Sequence, residues 1–168
     1  MARRRFEYVF ELKNFTPVVA PDPLMGMVWR NPSTADQQIL AELMLDSYRG
    51  TIDYDDETIE DSLNEVVSYY SRLSDPIWLE SSWLGLIDNE LTCACLVDFW
   101  EERRVPLISY VMTASRWKGK QLATTAVLRT LRSLANKNLA EVHAVITEGN
   151  LPSEKVFTRL GFERLSST

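Results

Sequence analysis

The chain has 168 residues, of which 45% are apolar, and 24 acids against 18 bases leave a net charge of −6. That length fits one domain, since domains cluster near ~100–150 residues and single cores divide only beyond ~250, and the acidic balance argues against nucleic acid as a partner. No apolar run approaches the ~18 residues of a membrane span, and the basic start Met1 to Arg5 leads into Glu7, Glu11 and Lys13 rather than a signal core. The expectation is a cytoplasmic protein with no membrane partner.

In chain order, Phe6, Tyr8, Phe10 and Leu12 alternate with Glu7, Val9, Glu11 and Lys13, the period-two pattern of a strand. Pro17, Pro21 and Pro23 mark an extended connector, and Met25 to Trp29 reads as a short strand. Ser33-Thr34-Ala35-Asp36 is a capping-box pattern that opens a helix carrying Ile39, Leu40, Leu43, Met44 and Tyr48 and ending near Gly50. A second helix is predicted from about Asp56 to Leu73, with Ile59, Leu63, Val66, Tyr70 and Leu73 on one stripe. Trp83 to Ile87 and Leu91 to Phe99, joined by Asp88-Asn89, read as a hairpin. Glu101 to Arg104 is a charged turn and Leu107 to Thr113 a strand; a helix follows over 121–136, a strand over Leu139 to Thr147, and a short helix over 151–160 that Gly161 stops. Residues 107–147 thus form a βαβ unit, whose strands should be parallel with a right-handed crossover.

Cys93 and Cys95 are two apart in a strand, too far for a bridge, and read as small buried hydrophobes. With one histidine, a metal site is not expected. Charge is unevenly spread. Asp46 to Glu65 holds eight acids and one base, whereas Arg116 to Asn138 holds six bases and no acid. Arg129, Arg132 and Lys137 in the latter read as a solvated helix face.

Thr113 to Ala123 joins a strand to a helix N-terminus, where free main-chain N–H groups and the helix dipole favour an anion. Gly119 permits a tight turn, and Lys118 and Lys120 add charge. Arg116-x-x-Gly119-x-Gln121-x-Ala123 resembles the pyrophosphate loop of the GNAT acetyltransferase superfamily. Asn150-x-x-Ser153-x-x-x-Phe157-x-x-x-Gly161-Phe162 resembles that family's second signature, and Trp29-Arg30-Asn31-Pro32 before the first helix resembles its opening.

The resemblance implies a single domain over 1–168, with a GNAT core at 25–165 and a strand extension at 1–24. The implied fold is α/β (α+β), a mixed central sheet with two splayed parallel strands flanked by helices. It implies acetyl-CoA as co-substrate, no metal, and direct transfer of the acetyl group to an amine of a small molecule or peptide. The coenzyme would pair with the main chain around Val111, Met112 and Thr113. Its diphosphate would lie on Arg116, Lys118, Gly119, Lys120, Gln121, Leu122, Ala123 and Thr124, with Asn150, Ser153 and Phe157 along the pantetheine arm. Asn150 equally reads as a cap of the last helix.

Three departures stand out. Gln121 occupies a place where the family prefers Gly or Ala. Phe157 occupies that of a tyrosine with which many relatives protonate the leaving sulfur. Family members usually continue past Gly-Phe for two strands, whereas this chain has about six residues more and roughly 20 extra in front. Phe6 to Lys13, with Phe15 to Val19, is therefore expected either to fill the vacant sheet edge or to pair with a second subunit, making a homodimer. Asp98, Glu148, Tyr110 and Glu101 are candidates for accepting the amine proton, while His143 reads as a structural histidine. Asp53, Asp55 and Asp56, in the loop between the first two helices, would favour a cationic acceptor. The competing readings are a protein N-acetyltransferase and a catalytically weak acyl-CoA-binding or regulatory module.

Overall fold

The computed structural model describes residues 2–17 and 22–166. One seven-stranded sheet runs through it in the order β2-β3-β4-β5-β6-β1-β7. The strands are β1 (Arg5–Glu11), β2 (Val28–Arg30), β3 (Trp83–Ile87), β4 (Glu90–Trp100), β5 (Val105–Thr113), β6 (Glu141–Thr147) and β7 (Glu163–Arg164). The helices are α1 (Gln37–Tyr48), α2 (Ile59–Arg72), the single turn α3 (Ile77–Glu80), α4 (Leu122–Asn136) and α5 (Leu151–Leu160). No helix among the described residues is long and apolar enough to cross a membrane.

Each element follows from local chemistry. Asp88 and Asn89 both adopt positive φ, at 49° and 63°, which a two-residue hairpin turn of the right twist requires, so β3 and β4 pair antiparallel. α2 begins three residues later than its periodicity suggests because Thr58 is its cap: Thr58 Oγ1 accepts from the Asp61 N–H, and Asp61 accepts from the Thr58 N–H. At α1 the corresponding carboxylate is Asp36. It takes the Ser33 N–H at 2.7 Å and both terminal nitrogens of Arg30 at 2.8 Å, which ties the helix start to β2. α3 has no sequence signal long enough to reveal it.

The sheet separates two cores. Cys93, Cys95 and Val97 of β4 and Ile108 of β5 face α4 and α5, whereas Ala94, Leu96 and Met112 face α1 and α2. The cysteines are free and buried, and burial pushes both thiols up to about 12. Arg129 departs from the expected solvated face: its guanidinium stacks between the rings of Trp29 and Trp83, 4.6 and 5.4 Å from their centres. Lys137 pairs with Glu80 at 3.4 Å.

β1 pairs antiparallel with β6 over its whole length, from Arg5 opposite Thr147 to Glu11 opposite Glu141. It thus enters its own sheet as an interior strand. The outer position belongs to β7, unforeseen in the sequence, whose two residues pair with Tyr8 and Val9. Phe15 to Pro17 form no strand, and the rest of the expected Phe15 to Val19 strand lies outside the described residues. β1 buries Phe6, Tyr8 and Phe10, and Phe10 packs at a tilt against Phe162 with centroids 5.3 Å apart. Gly161, at φ 100°, ends α5 so closely over Phe10 that an added Cβ would sit 3.3 Å from its ring.

Phe10→Ala removes this contact and should destabilise the fold by about 3–5 kcal/mol in denaturant titration. A loss below about 1 kcal/mol would mean that β1 is not integral to the sheet. Asp36 gives a pH signature. The Arg30 guanidinium holds its carboxyl below the ordinary value, with the Ser33 N–H assisting. Its contribution is therefore present above the unfolded value near ~4 and is lost as pH falls through the lower folded value. Asp36→Asn should cost roughly 1–3 kcal/mol at neutral pH, and its melts should depend less on acid than those of the wild type.

Candidate functional site

β5 and β6 pair in parallel only at Leu107–His143 and Ile108–Ala144, although β5 continues to Thr113 and β6 to Thr147. The divergence begins at a bulge. Leu96 of β4 faces Tyr110 and Val97 faces Ile108, so Ser109 is an extra residue on β5 immediately after its last pair with β6. A bulge bends and overtwists its strand, and here it swings β5 away from β6. A cavity of about 730 Å³ occupies the opening.

The main chain facing that opening can be read from its neighbours. The Ala114 N–H donates to Thr92 O beside β4, whereas the Thr113 N–H donates to Ser47 Oγ of α1. Successive residues of a strand point their amides to opposite sides, so Val111, like Thr113, faces away from β4 and into the opening. Val111 also lines the cavity. Of the three residues expected to pair with a ligand, then, only Val111 has a free main chain facing the opening. Met112 faces β4, with its side chain wholly buried, and the Thr113 N–H is engaged.

Because the strands are parallel, both following helices start at the open end. In the loop before α4, Ser115 donates through N–H and hydroxyl to Asp46, and Lys118 Nζ donates to Ser47 O at 2.6 Å. Arg116 is turned to Glu90 and over the Trp117 ring. These two cations are therefore fastened to α1 and β4, and Lys120 remains exposed. Gly119 and Gln121 adopt φ of 80° and 62°. The first N–H of α4 to find an intrahelical acceptor is that of Thr125, on Gln121 O, so those of Leu122, Ala123 and Thr124 have none. The Leu122 side chain is core. At α5, Asn150 Oδ1 accepts from the Ser153 N–H as the helix cap, while its Nδ2 donates to Asp53 at 2.7 Å and latches the α1–α2 loop over the opening. Asn150, Ser153 and Phe157 line the cavity, and Phe157 packs edge-on against Phe162 at 4.9 Å.

The expected proton acceptors divide sharply. Tyr110 lines the cavity and donates to Glu65. Asp98 lies outside the lining, 4% exposed and bound to Arg72 at 3.1 and 3.2 Å. Burial raises its pKa, opposed by Ser109 and Arg72. Glu148 is exposed, outside the lining, and its N–H donates to Arg4 O; Glu101 is an exposed turn residue near Arg104. His143 is structural, its two ring nitrogens 2.6 and 2.9 Å from carboxylates of Glu7 and Glu141. Asp53 lines the cavity, but Asp55 pairs with Arg3 at the surface, and Asp56 is a positive-φ turn residue outside the lining.

Sequence reasoning missed Tyr48, Glu57, Asp61, Glu65 and Arg72, all of which line the cavity. Glu57, Asp61 and Glu65 recur every fourth residue, so one stripe leading into α2 was legible as acidic, though not the opening it faces. Among the described residues no group of three His, Cys, Asp or Glu is placed to hold a metal ion.

A family model described as an acetyltransferase (GNAT) domain matches residues 30–163. No curated protein sequence matches the chain significantly. Among solved structures, the GCN5-related N-acetyltransferase from Sphaerobacter thermophilus superposes with a TM-score of 0.72 at 16% identity, covering 97% of this chain and 49% of that one. The chain thus spans about half of that relative's length. A protein from Pyrococcus horikoshii OT3 gives 0.69 at 13% identity, covering 84% and 92% of the two chains. The PaiA N-acetyltransferase from Thermoplasma acidophilum, solved with coenzyme A, gives 0.64 at 18% identity, covering 86% and 94%.

Gln121 holds a left-handed conformation, which costs a residue with a Cβ ~1–2 kcal/mol. Gln121→Gly should raise stability by about 1 kcal/mol and the melting temperature by roughly 2–4 °C. A lower melting temperature would show that the Gln121 side chain makes a stabilising contact that outweighs the strain.

Proposed function

We propose, because this chain belongs to the GNAT acetyltransferase family, that it transfers the acetyl group of acetyl-CoA to an amine by direct attack. The observation that carries this reading is the divergence of β5 and β6 after Ile108 and Ala144, which leaves the Val111 amide facing a cavity without a strand partner. A pantetheine arm laid along β5 would supply that amide with the hydrogen-bond partner that β6 does not. The N–H groups of Leu122, Ala123 and Thr124, with Gly119, Lys120 and Gln121 turning before them, form a main-chain cradle suited to the diphosphate. Arg116 and Lys118 brace that cradle through Glu90 and Ser47. Asn150 and Ser153 flank the arm, and Phe157 closes its wall. Coenzyme A bound to a structural relative supports the same ligand class.

Phe157 has no proton to give, so the sulfur leaves as a thiolate, which a thiol pKa near ~8.5 permits. On this reading the Val111 N–H, which faces the opening, donates to the thioester carbonyl oxygen as charge builds on it. The acceptor enters from the side of α1 and α2. Asp53, Glu57, Asp61 and Glu65 line that side, and the Arg72 charge there is offset by Asp98, so a cationic amine on a small molecule or peptide fits the potential. Residues 1–24 extend a core at 25–165 into one domain over 1–168, and β1 serves this chain's own sheet.

Calorimetry with coenzyme A and thiol release from acetyl-CoA with a broad amine panel test the reading together. Binding plus amine-dependent release is expected, with Asp53→Asn and Glu57→Gln lowering kcat/KM for dicationic more than for neutral-tailed amines. Binding without release on any amine would favour an acyl-CoA-binding module. No binding at millimolar coenzyme would end the transferase reading.

A further inference from the structure

Resting on the transferase reading above, we propose that Glu65, acting through the Tyr110 hydroxyl, receives the proton that the acceptor nitrogen loses. Four carboxylates line the cavity, and three are engaged elsewhere. Asp53 accepts from Asn150 Nδ2 at 2.7 Å, and Glu57 accepts the Asp55 N–H at 2.7 Å. Asp61 accepts the N–H and hydroxyl of Thr58 at 2.8 and 2.9 Å, the N–H first holding its carboxyl below the ordinary value. Glu65 differs because its partner in the cavity is a hydroxyl that can both give and take a proton, that of Tyr110, which donates to it. Asp98 cannot compete from behind Arg72.

Tyr110 precedes Val111 on β5, and the two address one opening from adjacent positions. The Val111 amide faces the gap where the thioester lies on this reading. The Tyr110 ring turns toward α2, edge-on to Tyr69 with centroids 6.0 Å apart. An amine arriving from that side meets the hydroxyl beside the thioester carbonyl. Burial pushes the Tyr110 hydroxyl above its ordinary value; Glu65 adds to the rise and Arg72 opposes it. The phenol therefore does not hold an anion, and it takes a proton only as it gives its own to Glu65. The other ionisable groups around the pair are Tyr48 from α1, Asp53, Tyr54 and Glu57 from the loop, Asp61, Tyr69 and Arg72 from α2, Asp98 from β4 and Arg5 from β1.

The step balances without a further reactant. The attacking nitrogen is in its neutral amine form, any positive charge residing elsewhere on the acceptor; its lone pair forms the C–N bond, the C–S bond breaks, and that bond's electron pair leaves on sulfur. The surplus N–H proton passes to Tyr110 Oη while the tyrosine proton passes to Glu65. Water then carries it to the thiolate, so amide and free thiol are the products.

The test uses an amine found by the thiol-release screen, with kcat/KM followed against pH for wild type, Glu65→Gln, Glu65→Ala and Tyr110→Phe, and coenzyme affinity measured for each. At neutral pH each variant should lose at least about 100-fold in kcat/KM, with coenzyme Kd within about twofold of wild type. Added formate should restore part of the Glu65→Ala rate, which a packing role would not produce. Glu65→Gln or Tyr110→Phe within about threefold of wild type, or a Glu65→Ala loss that formate does not touch, would overturn the relay alone. A wild-type enzyme that binds coenzyme yet acylates no amine would overturn the transferase reading and the relay with it.

Discussion

The parting of β5 from β6 is the constraint on which the rest of the site depends, and one extra residue sets where it starts. Ser109 has no counterpart on β4, and it follows directly on the last β5–β6 pair. Up to that point the sheet is continuous and its amides satisfy one another. Beyond it, β5 remains bound to β4 while β6 remains bound to β1, so each strand keeps one partner and turns one edge to the cavity. Neither edge can collapse onto the other without breaking pairs on its far side. The opening is therefore a property of the whole sheet.

That explains why a strand from the far N-terminal end matters to a site it hardly touches. β1 holds β6 along its full length and brings Phe6, Tyr8 and Phe10 under α5. Only Arg5 reaches the cavity. Without β1, β6 would have an open edge on both sides over its last residues, a poorly determined position for one wall of a binding site. The aromatic contact between Phe10 and Phe162 then couples that strand to the end of α5.

The opposite wall is fixed by polar contacts at the end of α1. Asp46 holds Ser115, the Ser47 hydroxyl takes the Thr113 N–H, and the Ser47 carbonyl takes Lys118. A lysine on a helix C-terminal carbonyl also meets the negative end of its dipole. The loop before α4 is thereby set relative to β5, with its free N–H groups turned to the open end. Arg116 and Lys118, which look like anion ligands in a linear reading, act here as struts to Glu90 and the Ser47 carbonyl, and on the proposed function the main chain and Lys120 are left to meet the diphosphate.

Much of this was legible beforehand because it depends on local chemistry. The period-two run from Phe6, the capping residue Ser33, the Asp88-Asn89 turn and the Gly161 stop each act within a few residues, so sequence alone determined most of the elements and the βαβ unit, though not α3, β7 or the Thr58 start of α2. The pattern from Arg116 to Ala123 likewise pointed to the loop before α4. Tertiary structure alone decided which side chains share the cavity. Asp98 and Tyr110 are equally plausible on paper, yet one is buried against Arg72 and the other lines the opening beside Glu65, a residue 45 positions earlier in the chain. Linear order contains no distance between α2 and β5. Strand register, the bulge and the packing of α2 on the sheet set that distance, and they settle only when the whole core forms.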